Sequence, residues 1–215
     1  MNYVLYCHKS FTDLPKQKQE QIINSGLSVF SRYEYKKASV NDIAVEAGIS
    51  KSMVFHYFGS KKILYLYLVS FAGQELVDQM EKNIDRTVLD FFDRIKMMTK
   101  IKITLLHHRP FLTQFFAMVY REKDEQVAGE LRGFFASGET YRTSTVLENI
   151  ETHKFKQGIS PETVMKLLLR YTEGYISELP SDREFEFEQV MAEFDECLSL
   201  LKNNFYKEEY LHSLN

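Results

Sequence analysis

The segment AVEAGISKSMVFHYFGSKK, residues 44–62, contains a break in an otherwise helical pattern. Apolar residues recur at helical spacing on both sides of Gly48, and this glycine together with Ser50 interrupts the run. Ser39 followed by Asp42 is typical of a capped helix N-terminus, and Ser50 is placed to cap the next helix. A glycine just past a helix is typical of its C-terminus, because glycine adopts the left-handed backbone without a Cβ clash. The pattern predicts two short helices joined by a tight turn.

The apolar residues of the two short helices predict how these helices pack. One face of the first helix carries Val40, Ile43, Ala44 and Ala47. In the second helix the spacing predicts an inward side formed by Ser50, Val54, Tyr57 and Phe58, and an outward side formed by Lys51, Ser52, Phe55 and His56. Small alanines let two helices approach closely at a steep angle. This arrangement is a helix-turn-helix, in which the second helix is free to enter a DNA major groove.

The outward side of the second helix has the composition of a DNA-reading surface. No acidic residue occurs between Glu46 and Glu75. Lysine and serine bond base edges or phosphates, and a phenylalanine ring contacts a thymine methyl group. A helical hairpin that is only part of a core is the alternative interpretation.

The remainder of the chain predicts an all-α protein. Prolines fall where helices begin or end, and Ser160 and Ser181 are suitable N-caps. The short fragment EFEFE alternates like a strand, but it continues into apolar residues at helical spacing, which favours a helix. About nine helices are predicted, over residues 15–32, 40–47, 51–57, 60–84, 88–107, 110–120, 124–150, 161–178 and 183–206.

Composition and charge limit the possible functions. Of 215 residues, 44% are hydrophobic and the formal net charge is −3, so charge over the whole chain does not indicate a nucleic-acid partner. The first 62 residues are nevertheless basic by +4, which suggests an anionic partner there. Two distant cysteines, no signal peptide and no long apolar run predict a soluble cytoplasmic protein. We find no metal motif, phosphate loop or catalytic pair, so no cofactor and no enzymatic activity are predicted.

From Ile22 to Leu64 the sequence resembles the TetR family of transcriptional regulators. The resemblance rests on IINSGLSVF in the first helix and on ASVNDIAVEAGISKSMVFHYFGSKKIL, with the A-G-[VI]-S turn, the aromatic run and the following S-K in the family's order. It covers about one fifth of the chain. The resemblance implies a three-helix DNA-binding domain at 14–60 after an extension at 1–13. It also implies a ligand-binding and dimerisation domain at 61–215.

The resemblance also implies which residues contact DNA. Ser39, Tyr57 and Lys61 match phosphate-contacting positions, and Lys51, Ser52 and His56 match the base-reading side. The full predicted DNA-binding set is Ser39, Ser50, Lys51, Ser52, Met53, Phe55, His56, Tyr57 and Lys61. Three residues depart from the family pattern: Glu34 replaces a common glycine, Met53 a common threonine and Phe55 the usual tyrosine.

In the larger domain the resemblance implies an effector pocket and a helix-pair dimer interface. The density of aromatic and methionine side chains favours a bulky apolar ligand, although such residues are commonly core. The predicted ligand residues are Phe91, Ile95, Met98, Phe111, Phe115, Phe116, Phe134, Tyr141 and Tyr171. The predicted interface residues are Val164, Leu168, Tyr175, Phe194, Leu198 and Leu201.

The sequence therefore predicts a homodimeric, ligand-responsive regulator that binds a double-stranded DNA operator as a repressor. The alternative is a helical small-ligand carrier, or an enzyme, whose N-terminal hairpin does not bind DNA. Such a carrier would not need a basic, acid-free outward helix.

Overall fold

The structure, a computed structural model that describes residues 7–178 and 187–211, is all-α. Across these described residues we find ten α-helices and no β-strand, apart from one antiparallel bridge between Phe155 and Tyr206. The helices are α1 (Lys9–Thr12), α2 (Lys16–Arg32), α3 (Val40–Glu46), α4 (Lys51–Phe58), α5 (Lys61–Asn83), α6 (Phe91–His107), α7 (Pro110–Arg121), α8 (Glu125–Leu147), α9 (Pro161–Glu178) and α10 (Phe187–Phe205).

The all-α prediction is confirmed, and each of the nine predicted helices has a counterpart among α2–α10. The sequence did not predict the single turn α1. The predicted start of the last helix at residue 183 lies outside the described residues. Among the described boundaries the two largest shifts are at the start of α6, which begins at Phe91 and not at 88, and at the end of α8, which ends at Leu147 and not at 150. Asp90 caps α6 by accepting hydrogen bonds from the backbone N–H groups of Phe92 and Asp93.

The chain divides into two compact units. The first contains the described residues up to Asp78 together with Leu106–Ala136, and the second contains Gln79–Leu105 and the described residues from Ser137 onward. The domain boundary predicted at 60/61 therefore falls inside the first unit, because α2 packs along α7 as well as against α3. Residues 7–13, predicted to be an extension, also belong to this unit through the fully buried ring of Phe11.

The first unit is built around α5, which presents aromatic rings to its neighbours. The Tyr65 ring lies 4.9 Å from Phe30 of α2 and 5.9 Å from Phe115 of α7, measured between ring centroids. At Gly26 of α2 an added Cβ would lie 2.6 Å from a methyl carbon of Leu68, so the glycine permits α2 to approach α5 closely. The apolar face of α2 is therefore buried, with Gly26 and Phe30 against α5.

The second unit has its own apolar core, contributed by the end of α5 and by α6, α8, α9 and α10. Phe91, Phe92, Phe155 and Tyr206 form a cluster of rings with centroid separations of 4.8–6.2 Å, in which every contact is edge-to-face except the tilted pair Phe92 and Phe155. Such contacts add to the stabilisation from apolar burial.

Two charged side chains, Asp90 and Arg94, are buried beside this core, and each has hydrogen-bond partners within the second unit. Asp90 accepts hydrogen bonds from Lys154 at 3.0 Å and from Lys202 at 3.3 Å. Arg94 is only 2% exposed, and its guanidinium donates to backbone carbonyl groups of Val88 before α6 and of residues 145, 146 and 148 around the end of α8. Arg94 therefore joins two parts of the second unit that are distant in sequence.

We expect Arg94→Met to destabilise the second unit. The substitution keeps an apolar stem but leaves several buried carbonyl groups without a donor, at a cost of about 3 kcal/mol in unfolding free energy. Urea unfolding followed by circular dichroism measures the effect, with Arg132→Met on an exposed arginine as the control. Equal stability of the two variants would contradict the structural role of Arg94.

Candidate nucleic-acid interface

The helix-turn-helix of α3 and α4 is held by its local sequence. The Ser39 side chain accepts a hydrogen bond from the Asp42 N–H at 3.4 Å, and the Ser50 side chain accepts one from the Met53 N–H at 3.2 Å. Each serine thus caps the first turn of its helix, as the sequence predicts. Both helices are shorter than the length at which an isolated helix is stable in water. Their caps and their packing against neighbouring helices must therefore stabilise them.

Gly48 forms the turn between these helices in the left-handed conformation, with φ of +59°. The Ile49 N–H donates to the Ala44 carbonyl at 3.0 Å, which completes a Schellman-type C-terminus for α3. A side chain at position 48 would be strained by this φ value even though space is available. The glycine therefore determines the turn, and the turn determines the direction in which α4 leaves α3.

A long-range contact that the sequence did not predict also stabilises the turn. The Lys18 ammonium of α2 donates to the Ala47 carbonyl at 3.0 Å, and the Lys18 stem is half-buried. A cation at a helix C-terminus interacts favourably with the helix dipole. No local sequence signal could have identified this contact, because the two residues are 29 positions apart.

Exposure along α4 separates an inward side from an outward side. The inward residues Val54, Tyr57 and Phe58 are buried. The Phe58 ring packs on Phe11 and on Tyr67 of α5, with centroids 4.9 and 5.2 Å apart. The remaining residues of α4 are exposed, and they are Lys51, Ser52, Met53, Phe55 and His56. The predicted outward side is therefore outward, whereas Ser50, predicted to face inward, is an exposed cap.

The outward surface of α4 carries positive charge and one accessible aromatic ring. The Phe55 ring is 38% exposed, and the Lys51 ammonium lies 6.0 Å from its centroid. The nearest acidic residue in sequence, Glu46, forms an ion pair with Arg32. Lys51 is thus available to an anionic or carbonyl acceptor.

The three residues predicted to contact phosphates each have a role within the chain. Ser39 is a helix cap, and Tyr57 is only 5% exposed, with its ring 5.8 Å from Phe11. The Lys61 ammonium donates to the Lys36 carbonyl at 3.1 Å and lies 4.8 Å from the Tyr35 ring centroid. Partial burial lowers the pKa of Lys61. The nearby carboxylates of Asp124 and Glu122 favour the charged ammonium and offset part of this decrease. These three contacts with DNA stay predictions.

The unusual residue Glu34 does not prevent the turn that follows α2. Its carbonyl accepts hydrogen bonds from the Lys37 and Ala38 N–H groups at 3.0 Å each, and its carboxylate pairs with the Lys37 ammonium. Tyr35, next in the chain, donates its N–H to the Glu122 carboxylate at 2.7 Å. The departure from glycine is therefore accommodated by an ordinary backbone turn.

The predicted ligand residues fall in both units. Phe91, Ile95 and Met98 are buried in the core of the second unit, where Tyr141 is half-buried and Tyr171 is exposed. In the first unit Phe115 is fully buried, Phe111 is half exposed, and Phe116 and Phe134 are half-buried. The Tyr141 hydroxyl donates to Glu81 at 2.7 Å. Burial, which has the larger effect, and this hydrogen bond together raise the pKa of Tyr141 to about 12.

Contact between the predicted ligand residues and a ligand stays a prediction.

The predicted dimer residues are divided between the core and the surface. Val164, Leu168, Leu198 and Leu201 are buried in the chain's own core, so they are not on a face available to a partner. Phe194 and Tyr175 are half-buried. The same helices instead expose Leu167 and Tyr171 on α9 and Leu200 on α10, with 50%, 39% and 60% of their surfaces accessible. Hydrophobic periodicity therefore identified the inner faces of α9 and α10. The part that these helices play in a dimer interface stays a prediction.

Two site types receive no support within the described part of the chain. Between residues 7 and 178 and between 187 and 211, no three His, Cys, Asp or Glu side chains are grouped as metal ligands require. A membrane-crossing helix, which needs a long apolar stretch, is not found in these same ranges.

Comparison with known proteins finds a family whose model is similar to the segment that contains the helix-turn-helix. A family model described as bacterial regulatory proteins, tetR family, matches residues 22–68. A relative from Bacillus subtilis (strain 168), the uncharacterized HTH-type transcriptional regulator YuxN, is 27% identical over 125 residues. That alignment covers 54% of this chain but 41% of the relative, so the chain matches less than half of the relative's length.

Solved structures share the fold. A TetR family transcriptional regulator from Chloroflexus aurantiacus J-10-fl superposes with a TM-score of 0.70 at 18% identity, covering 94% of this chain and 99% of that one. The fatty acid degradation regulator FadR from Bacillus halodurans superposes with a TM-score of 0.69 at 16% identity, covering 86% and 96%. At these identities the likeness concerns the fold alone.

We expect substitutions at two neighbouring phenylalanines of α4 to differ in their effect on stability. Phe58→Ala removes a buried ring and should lower the unfolding free energy by about 3–5 kcal/mol. Phe55→Ala alters an exposed ring and should change it by less than about 1 kcal/mol. Urea unfolding of both variants beside the wild type tests this. A large loss in Phe55→Ala would assign that ring to the core and remove it from the interface.

Proposed function

We propose that this chain, a member of the tetR family of bacterial regulatory proteins, is a homodimeric transcriptional regulator that places α4 in the major groove of an operator. The observation that carries the proposal is the outward side of α4. It lies inside the segment that matches the family model, it is exposed, and it lacks any acidic residue. The operator lies in the cytoplasm, where we place the protein.

The side chains on α4 have the chemistry needed to read a base sequence. We assign base-edge hydrogen bonds to Lys51, Ser52 and His56, and contact with a thymine methyl group to the Phe55 ring. Ser39, Ser50 and Lys61 lie at the N-terminal ends of α3, α4 and α5. Contacts of these residues with DNA phosphates would fix the position of α4 along the groove. Met53 contributes an apolar contact where a hydroxyl group is more usual. Tyr57 would contribute only its small accessible fraction.

A dimer follows from the requirements of operator recognition. A single helix of this length reads only a few base pairs, and two copies bind half-sites about 34 Å apart. We place the dimer contact on the exposed face of α9 and α10 that contains Leu167, Tyr171 and Leu200. On α9, Leu167, Tyr171 and Gly174 are exposed and spaced i, i+4 and i+7, so they share one face, and the glycine allows a second helix to pack closely.

An effector would act by changing the distance between the two recognition helices. α5 begins directly after α4 and continues from the first unit into the second. A ligand bound in the second unit that favours one orientation of α5 would oppose DNA binding, with a coupling free energy of about 1–3 kcal/mol. The protein would then act as a repressor that its effector releases.

We expect Lys51→Ala to alter sequence recognition. An operator is first selected from a random duplex library, and its affinity is then measured by fluorescence anisotropy. The variant should lose about 1–3 kcal/mol of binding free energy on the operator and should tolerate a changed base pair at one position.

Lys100→Ala is the control for this experiment, because Lys100 is an exposed lysine on α6. The control should bind the operator as the wild type does. A wild type that is not retained on any duplex at low salt would exclude the proposed function and favour a helical carrier or enzyme.

We expect Leu200→Glu to disrupt the dimer, because an unpaired carboxylate in a packed interface is strongly unfavourable. Sedimentation velocity should show monomers for this variant. Leu89→Glu, an exposed leucine in the segment before α6, should remain a dimer. A dimeric Leu200→Glu variant would place the interface elsewhere.

A further inference from the structure

The turn between α2 and α3 is hydrogen-bonded to a part of the chain that the proposed function does not use. This turn comprises residues 33–38, and the corner between α7 and α8 comprises residues 122–124. The Tyr35 N–H donates to the Glu122 carboxylate at 2.7 Å, across 87 positions of sequence. Both segments belong to the first unit. The contact therefore fixes one loop of this unit against another.

The α7–α8 corner presents this carboxylate from a well-defined position. The other Glu122 carboxylate oxygen accepts hydrogen bonds from the N–H groups of Lys123 and Asp124, at 3.0 and 2.8 Å. Asp124 caps α8 by accepting a hydrogen bond from the Gln126 N–H at 2.9 Å, and Val127 in the first turn of α8 is fully buried. The Glu122 side chain is therefore bound both to its own corner and to Tyr35.

Tyr35 is held at its backbone, its ring and its hydroxyl group. The hydroxyl donates to the Gln126 side-chain carbonyl at 3.3 Å, and the ring lies 5.2 Å from the Tyr65 ring of α5, measured between centroids. The Lys61 ammonium lies 4.8 Å from the Tyr35 ring centroid. Only 5% of the Tyr35 surface is exposed. These contacts hold the α2–α3 turn in one conformation.

The Lys61 side chain makes two contacts with this same turn. Its ammonium donates to the Lys36 carbonyl at 3.1 Å and lies near the Tyr35 ring. An ammonium group has three N–H donors, so a bond to one carbonyl leaves donors for a DNA phosphate. A lysine held in this way has lost part of its rotamer freedom before DNA binds, which lowers the entropic cost of a phosphate contact.

The negative charge of Glu122 does not by itself favour DNA binding. The carboxylate lies within electrostatic reach of Lys61, and a negative charge near a phosphate-binding lysine weakens the attraction for a polyanion. The three N–H groups that donate to Glu122 instead give this side chain a geometric role. The acceptor oxygen and the charge of Glu122 should therefore have opposite effects on operator affinity.

We propose that Glu122 is a positioning residue for operator binding, which acts through Tyr35 to hold the α2–α3 turn in the conformation that presents Lys61 to a DNA phosphate. The proposal rests on the function proposed above and adds to it a residue that does not touch DNA. The property that matters is a hydrogen-bond acceptor within reach of the Tyr35 N–H. A glutamine side chain has the same length and one carbonyl acceptor, so it can replace the glutamate in this contact.

The test measures the affinity for the selected operator by fluorescence anisotropy at several salt concentrations. Glu122→Ala and Glu122→Asp both withdraw the acceptor from Tyr35, the second while keeping the charge. In each variant the affinity should fall about tenfold, as expected when one charge-assisted hydrogen bond to a phosphate is lost, and the slope of log affinity against log salt should decrease in magnitude by about one. Glu122→Gln should stay within about threefold of the wild type.

Two results would overturn the proposal. Affinity that is unchanged or increased in Glu122→Ala would show that the side chain contributes only its charge. A Glu122→Gln variant as weak as Glu122→Ala would show that an acceptor at this position is not sufficient. Circular dichroism and thermal unfolding establish that each variant is folded at the temperature of the binding measurement. Glu122→Asp keeps the test decisive if the alanine variant does not fold.

Glu130→Ala is the matched control. Glu130 lies on α8 and forms an ion pair with Lys62 of α5 at 2.6 Å, one residue beyond Lys61. The substitution also removes a carboxylate and a long-range contact with α5, but this ion pair does not involve the α2–α3 turn. Neither the operator affinity nor the salt slope should decrease in this variant.

A double-mutant cycle shows whether Glu122 acts through Lys61. Lys61→Met alone should weaken operator binding by about tenfold. Adding Glu122→Ala to Lys61→Met should then cost less than about threefold, because the phosphate contact that Glu122 supports is already absent. A loss of about tenfold from Glu122→Ala in both backgrounds would indicate a general structural effect and would overturn the positioning role.

The positioning role and the proposed function fail in different ways. If the wild type binds an operator and Glu122→Ala binds it equally well, the role of Glu122 is overturned and the regulator function stands. If the wild type is not retained on any duplex at low salt, the regulator function is overturned, and the positioning role that rests on it is overturned as well.

Discussion

The packing of the inner side of α4 on aromatic rings determines the surface that the proposed function uses. Phe58 packs on both Phe11 of α1 and Tyr67 of α5, which also contact each other, and all three rings are buried. Because a helix is rigid over two turns, fixing its inner side also fixes which residues face outward. Lys51, Ser52, Phe55 and His56 are exposed as a consequence. The DNA-facing chemistry therefore depends on contacts made by residues that do not touch DNA.

The second unit combines an apolar core with two buried charges. Asp90 and Arg94 are buried and have hydrogen-bond partners within the unit, so they stabilise the fold. Asp90 is held by Lys154 and Lys202, and Arg94 donates to carbonyl groups around the end of α8. These charges therefore join segments that are distant in sequence.

The sequence predicted the secondary structure and the helix-turn-helix because their signals are local. The two serine caps, the glycine after Ala47 and the apolar spacing on each helix act within a few residues, and the structure has each of them as predicted. The outward side of α4 follows from the same periodicity. Sequence could not predict the Lys18 contact with the Ala47 carbonyl or the burial of Phe11, since their partners are far away in the chain.

The sequence by itself thus determined an all-α chain with a helix-turn-helix and identified α9 and α10 as strongly amphipathic helices. Only the tertiary structure decided which apolar residues of these two helices are buried in the chain's own core and which are exposed. The stripe that contains Val164, Leu168 and Leu198 covers the chain's own core, and the exposed leucines lie beside it. The tertiary structure also buried Arg94 against carbonyl groups of a distant segment. Hydrophobic periodicity indicates that one face of a helix is apolar. Which segment covers that face, and whether a charged side chain is buried, depend on contacts between residues that are distant in the sequence.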